Sequence, residues 1–360
     1  MSTVNEPGAD VPQETGRPVI DWSLAAATGA FLVRGGPVVS REEAHLAVTE
    51  LRELTRDAEA HVRDLTGLGA GLPLLPGDVV DRPGWVRSAA TGLDALTGRA
   101  LKSLPANPFG PLLAGTAGVQ TGVVLAFLAS RVLGQYDPFG ADGTGRLLLV
   151  APNVVTAQQA LDVPGRDFRM WVCLHESTHR LQFTAVGWLK EYFADEVERL
   201  VSGLSSGDLD GVTELLGRIP DAVREARRNK ADGVVALGQL LRSPQQREVF
   251  DRLLALSTLL EGHADYVMDA VGPSVVPAVE IIRTRFTQRR KGGGLLDRFL
   301  RSVLGVDAKI RQYAQGAAFT RHVVDRVGMD GFNAVWTSPN TLPSRAEIAD
   351  PDAWVRRVHR

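Results

Sequence analysis

Two histidines four residues apart, the first followed directly by a glutamate, stand in Phe168 to Phe183 (FRMWVCLHESTHRLQF) as His175, Glu176 and His179. Residues four apart share one face of an α-helix, so two neutral imidazoles can converge there on one divalent cation while Glu176 reaches a water bound to it. Zn2+ suits these donors and lowers the pKa of its water toward about 7, leaving a carboxylate to take the proton and hand it to a leaving group. The rest of the segment is largely apolar through Met170, Trp171, Val172, Leu174, Leu181 and Phe183. Three polar groups on such a helix are costly unless they share an ion or one another. A hydrogen-bonded pair of core histidines is the alternative to a metal site.

A catalytic zinc needs a third protein ligand. Phe250 to Ala270 (FDRLLALSTLLEGHADYVMDA) reads as a buried helix carrying Glu261, His263, Asp265 and Asp269. Glu261 and Asp265 share a face, so Glu261 can bind the metal while Asp265 accepts a hydrogen bond from the outer nitrogen of a ligand histidine, the gluzincin plan. Glu191, Glu198 and His263 compete for the same place. Glu191 lies in KEYFADEVER, which reads as a solvated helix face, and Glu261 is preferred. A hydrolytic site also needs a donor for a developing oxyanion, for which His263, Tyr266, Tyr313 and Arg321 are candidates.

These residues must be positioned mainly by helices. Ser40 followed by Glu43 opens an amphipathic pattern to about Leu68, Gly71 to Gly84 is a Pro/Gly-rich connection, and a second helical stretch runs from Trp85 toward Leu101. No charged residue occurs between Ser103 and Ser130, a length that could span a bilayer. Its prolines, polar residues and glycines favour a buried central helix instead. Arg146 to Ala151 is the best strand candidate. From Arg166 onward the pattern is long helices, with loops at 202–211, 243–246, 272–277 and 292–294. The fold class is mainly α, an α-rich α+β arrangement with little β. Residues 1–17 read as a disordered tail and 18–360 as a single domain, with an N-terminal helical lobe over about 18–165 and a metal-binding lobe over about 166–360.

The chain resembles the bacterial zincin-like, zinc-dependent metalloproteases or hydrolases, a family with a branch named for association with biosynthesis of a deazaflavin coenzyme. The resemblance covers nearly the whole chain from Asp21. It rests on Val80-Asp-Arg-Pro-Gly-Trp85, Leu133-Gly-Gln-Tyr-Asp137, the helix through His175 to Phe183, Gly187-Trp-Leu189, Glu261-Gly-His-Ala-Asp265, Lys309-Ile-Arg-Gln-Tyr313 with Gly316 and Phe319, and Leu342-Pro-Ser344 with Trp354. It implies a zincin-like fold in which His175, His179 and Glu261 are the ligands and Glu176 the base. Gly187 stands where relatives are expected to carry proline. The segment with Lys309, Tyr313 and Gly316 makes Tyr313 the first choice for the oxyanion, although a core tyrosine is the commoner role. Tyr136 and Arg82 are further cleft candidates that a structural turn explains equally well.

Composition narrows the classes. Forty basic and 42 acidic side chains in 360 residues leave a formal charge of −2, which argues against a nucleic-acid or membrane-surface binder. One cysteine, Cys173, asks for no oxidising compartment and reads as apolar filler. With an acidic N-terminus lacking an apolar run, the expected location is cytoplasmic. Arg283, Arg285, Arg289, Arg290 and Lys291 before Gly292 read as a solvated helix end. The expected function is a zinc metallohydrolase, most plausibly a peptidase acting on a peptide or small-molecule substrate. The rival is a non-catalytic scaffold with a structural metal.

Overall fold

The computed structural model describes residues 19–102, 110–140, 143, 145–205, 243–291 and 306–359. In chain order these form α1 (Trp22–Leu32), α2 (Arg41–Thr66), β1 (Asp78–Val80), α3 (Arg82–Lys102), α4 (Gly110–Ala129), β2 (Gly134–Asp137), β3 (Arg146–Val150), α5 (Ala151–Leu161), α6 (Gly165–Ala185), α7 (Leu189–Ser205), α8 (Pro244–Ala270), α9 (Val279–Lys291), α10 (Val306–Phe332), α11 (Arg345–Ala349) and α12 (Pro351–Val358). The mainly α class expected from the sequence is the class observed. Of the loop expected at 202–211, residues 202–205 are instead the end of α7, and its remainder, the expected tail at 1–17 and the loop at 292–294 lie outside the described residues.

Local chemistry sets the helix ends. Ser40 Oγ accepts from the Glu43 amide at 3.1 Å to start α2. Ser243 to Gln246, expected as a loop, is instead a capping box: Ser243 Oγ accepts from Gln246 N at 3.1 Å, and Gln246 Oε1 accepts from Ser243 N at 3.2 Å. Pro244 follows at the first helical position, where a missing N–H costs nothing, so the Ser-Pro-Gln-Gln run begins α8.

A three-stranded sheet of order β1-β3-β2 has β3 at its centre, parallel to β1 and antiparallel to β2. Arg146–Val150 is the one strand legible in advance because Leu147 to Val150 are all apolar, as residues buried on both faces of a sheet must be. Its alternation divides the interior: Leu147 and Leu149 join the larger core cluster, and Leu148 and Val150 join a smaller one with Trp85, Val86, Ala89, Leu125 and Ala129. The larger cluster draws on α2 as well as on α6, α8 and α10. The uncharged helix α4 is not the buried centre that its composition suggested. It pairs with α1 through Gly122, whose hydrogen faces the Ala25 carbonyl, while Val119, Val123 and Val124 stay exposed. Among the described residues no helix is long and apolar enough to cross a membrane.

Two glycines set the crossing that matters most for the site. A Cβ on Gly262 of α8 would collide with the backbone of Gly316 and Ala317 on α10, and a Cβ on Gly316 would meet the Thr258 carbonyl and come within 2.9 Å of Gly262 Cα. The helices touch backbone to backbone directly beside Glu261. Gly316→Ala is therefore expected to push α10 away from α8 and to destabilise the protein by about 1–3 kcal/mol, measured by chemical denaturation. An unchanged midpoint would show that the crossing tolerates a methyl group.

Candidate metal centre

Helix α6 offers three faces to three neighbours. Cys173, Ser177 and Arg180 meet α2, where Cys173 Sγ lies 3.9 Å from Thr55 Oγ1 and Arg180 ion-pairs with the buried Glu59. Glu176 and Phe183 face β2, with the Phe183 ring 6.0 Å from that of Tyr136. His175, His179 and Gln182 face α8. Offsets of four and seven residues produce each set. Cys173 is fully buried, and burial pushes its thiol up to about 12, which fits an inert filler.

On the α8 side, His175 Nε2 and His179 Nε2 are 3.1 Å apart. Glu261 Oε2 lies 3.5 Å from the first and 3.6 Å from the second. Ligand bonds of 2.0–2.2 Å give tetrahedral edges of about 3.3–3.6 Å, so this triangle and this donor set fit zinc. The side chains of His175, His179 and Glu261 are partly buried, keeping 20, 15 and 17% of their exposure. Burial alone would lower the His179 pKa. The hydrogen bond and charge of Glu261, the charge of Glu176 and the contact with Gln182 outweigh it, so the pKa ends above the ordinary value.

Asp265 does not take the role expected of it. The outer nitrogen of His179 lies 2.9 Å from Gln182 Oε1, and that of His175 lies 3.2 Å from Met268 Sδ. Asp265 Oδ1 instead accepts from Arg283 Nη1 at 2.5 Å, and Arg283 also donates to Asp269 Oδ1 at 2.6 Å. Helical spacing explains the change: Met268 is one turn beyond Asp265 on the same side of α8, and Asp265 turns toward α9. Arg283 and Arg285 are accordingly not a solvated helix end. They tie α9 to α8 and to the end of α5, where Arg285 donates to the Leu161 carbonyl at 2.9 Å. The side chains of residues 289–291 lie outside the described residues.

Glu176 is 5% exposed and lies against Gly134 at the start of β2, where a Cβ would come within 2.5 Å of its Cγ. Gly134 is the cradle that lets the carboxylate sit beside the histidines. Tyr136, two residues along the same strand face, is half-buried, and burial pushes its hydroxyl up to about 12, so it remains protonated. Arg82 is a structural residue: its Nε donates to Asn153 Oδ1 at 2.6 Å and its Nη1 to the Arg34 carbonyl at 3.0 Å. Glu191 is exposed on α7.

The oxyanion candidates are dispersed. His263 is fully buried behind Gln182, between Phe332 and Trp336, and burial pulls its pKa down to about 3. Tyr266 lies under the Arg321 guanidinium at 5.9 Å, and Arg321 pairs with Asp269 at 3.4 Å. The backbone of Tyr313 belongs to α10, and its side chain lies outside the described residues. Gln182, Met268 and Gly134 were missed in the sequence. The offset of Gln182 from His175 and His179 was the available signal.

The profile of a family described as zincin-like metallopeptidase matches residues 20–355. A crystal structure of a candidate hydrolase with a novel fold from Chloroflexus aurantiacus is similar at 30% identity and a TM-score of 0.67, over 95% of this chain and 99% of that one. No curated protein matches the chain.

With Arg283 as its partner, Asp265 should matter for stability rather than for the histidines. Asp265→Asn is expected to lower stability by roughly 0.5–2 kcal/mol while leaving the affinity for added zinc within about threefold. Denaturation curves and chelator competition measure the two; a tenfold loss of affinity with unchanged stability would return Asp265 to the histidines.

Proposed function

The chain belongs to the zincin-like metallopeptidase family, and we propose that it is a zinc-dependent hydrolase of the gluzincin type that cleaves peptides. In this reading His175, His179 and Glu261 hold the ion and Glu176 is the general base. The observation that carries it is the convergence of Nε2, Nε2 and Oε2 within 3.1–3.6 Å, a group of three donors among the described residues. Three ligands with an open position are the catalytic pattern, whereas a structural zinc is closed by four. A bound zinc would supply Lewis acidity and a water acidic enough to lose its proton near neutral pH.

The chain's own residues would do the rest. Glu176 follows a ligand directly and is confined between α6 and Gly134, so its carboxylate has little freedom to turn away. It would take the proton of the attacking water and return it to the leaving amine, and its shielding from bulk water strengthens that exchange. Among the described residues β2 pairs with β3 alone, so its outer edge keeps backbone groups able to bind an extended chain. That edge begins at Gly134, in contact with Glu176, which favours a peptide as substrate. A lone buried cysteine fits action in the cytoplasm.

Glu176→Gln is expected to retain zinc while losing about 10²–10⁴ in turnover. Glu261→Ala should lose the ion, and Glu191→Ala should alter neither property. Metal analysis and cleavage of a peptide library read by mass spectrometry test the set, and the reverse pattern would undo the assignments. Gly134→Ala is expected to keep zinc yet cost on the order of 10²-fold in kcat, because the added methyl displaces Glu176. Full activity in that variant would remove the cradle from the account.

A further inference from the structure

Behind His179 runs a chain of hydrogen bonds that starts from an atom whose role is unambiguous. The Leu260 carbonyl oxygen can only accept, and it lies 3.0 Å from Gln182 Nε2. The amide nitrogen of Gln182 therefore faces α8, and its oxygen faces His179 Nδ1 at 2.9 Å. An amide oxygen also only accepts, so the neutral His179 ring carries its proton on Nδ1 and presents a lone pair at Nε2, toward Glu261. The second hydrogen on Gln182 Nε2 points to His263 Nδ1 at 3.0 Å, which accepts it. Gln182 and His263 are both fully buried.

We infer that Gln182 is a positioning residue for His179, its amide selecting the imidazole tautomer that turns a lone pair to the cation site, with the Leu260 carbonyl and His263 holding the amide the right way round. The inference rests on the cation-site reading above. A reversed amide would set N–H groups against His179 Nδ1, drive the ring proton to Nε2 and put it where the cation must go. It would also set the amide oxygen against the Leu260 carbonyl. His263 supplies a second argument. Its Nε2 is buried with no hydrogen-bond partner among the described residues, although a phenyl ring would fill the space between Phe332 and Trp336 without a polar atom to leave unpaired. The acceptor that it gives Gln182 explains why an imidazole stands there. Control of the two ligands is unequal, because His175 Nδ1 faces only the weak acceptor Met268 Sδ at 3.2 Å. Leu260 directly precedes Glu261, so the same link ties the ligand helix α6 to the ligand on α8.

The test uses the full chain with zinc alone and with cobalt(II) alone. Zinc affinity is measured by chelator competition, and the cobalt form is examined by proton NMR for metal-shifted, exchangeable imidazole N–H signals. The native protein should bind one ion and show a protected signal from each histidine. Gln182→Leu is expected to bind zinc about 10–100-fold more weakly and to lose the His179 signal to solvent exchange. Gln182→Glu still offers His179 an acceptor, and His263 can change tautomer to donate to it, but its second oxygen faces the Leu260 carbonyl, so both readouts should recover in part and stay above those of Gln182→Leu. His263→Phe keeps the packing and should weaken binding in the same direction by a smaller factor. Native affinity with both signals protected in Gln182→Leu overturns the inference and leaves the cation site standing, whereas a native chain that takes up neither ion overturns both. Should Gln182→Leu fail to fold, unchanged affinity and exchange in His263→Phe overturn the inference.

Discussion

Three electron-rich atoms are aimed at one point. Two imidazole Nε2 atoms 3.1 Å apart and a carboxylate oxygen 3.5–3.6 Å from each repel one another unless a ring proton or a cation lies among them. Holding them together is the constraint that the surrounding structure satisfies. Two of the atoms share a helix turn and cost little to align, while the third comes from α8, more than eighty residues later, and needs that helix fixed against α6 in both position and rotation. The Gly262–Gly316 contact fixes α8 against α10 beside Glu261, and Gln182 fixes it against α6. Both devices lie within a residue or two of a ligand or in direct contact with one.

The same economy explains α6. Its α2 face is anchored by the buried Arg180–Glu59 pair, which cannot slide without stranding a charge. Its β2 face confines Glu176, and its α8 face carries His175 and His179, the proposed ligands. A rotation that improved one face would spoil the other two, so the helix has one acceptable setting. Membership of the zincin-like metallopeptidase family is consistent with a site built on a rigid helix rather than on loops.

Much of this was legible in the residues. His175, Glu176 and His179 declare themselves because a four-residue offset is a property of the helix alone. Glu261 was separable from Glu191 because its flanks are apolar, a sign of burial that needs no coordinates. Asp265 misled for an instructive reason: sharing a face with Glu261 is necessary for contact with a ligand histidine, but the direction in which α8 crosses α6 decides which turn meets the outer nitrogens. That direction brings Met268 to His175 and His263 to Gln182. Ser243-Pro-Gln-Gln misled because serine and proline signal a loop and a helix start equally well until the following turn is seen. Helix α4 misled because the absence of charge is compatible with burial in lipid, in protein or in neither, and Val119, Val123 and Val124 are exposed on it.

What the amino-acid order by itself determined is everything that depends on near neighbours: the helical class, the capped ends, the double-sided strand at Arg146–Val150, and a metal-competent pair of histidines with an adjacent acid. Only the tertiary structure decided the distances between α6 and α8, the partners of the outer nitrogens, and the glycine cradle that receives Glu176. These rest on contacts between residues tens of positions apart. Their geometry follows from how whole helices cross, and a local pattern of residue types carries no record of a crossing angle.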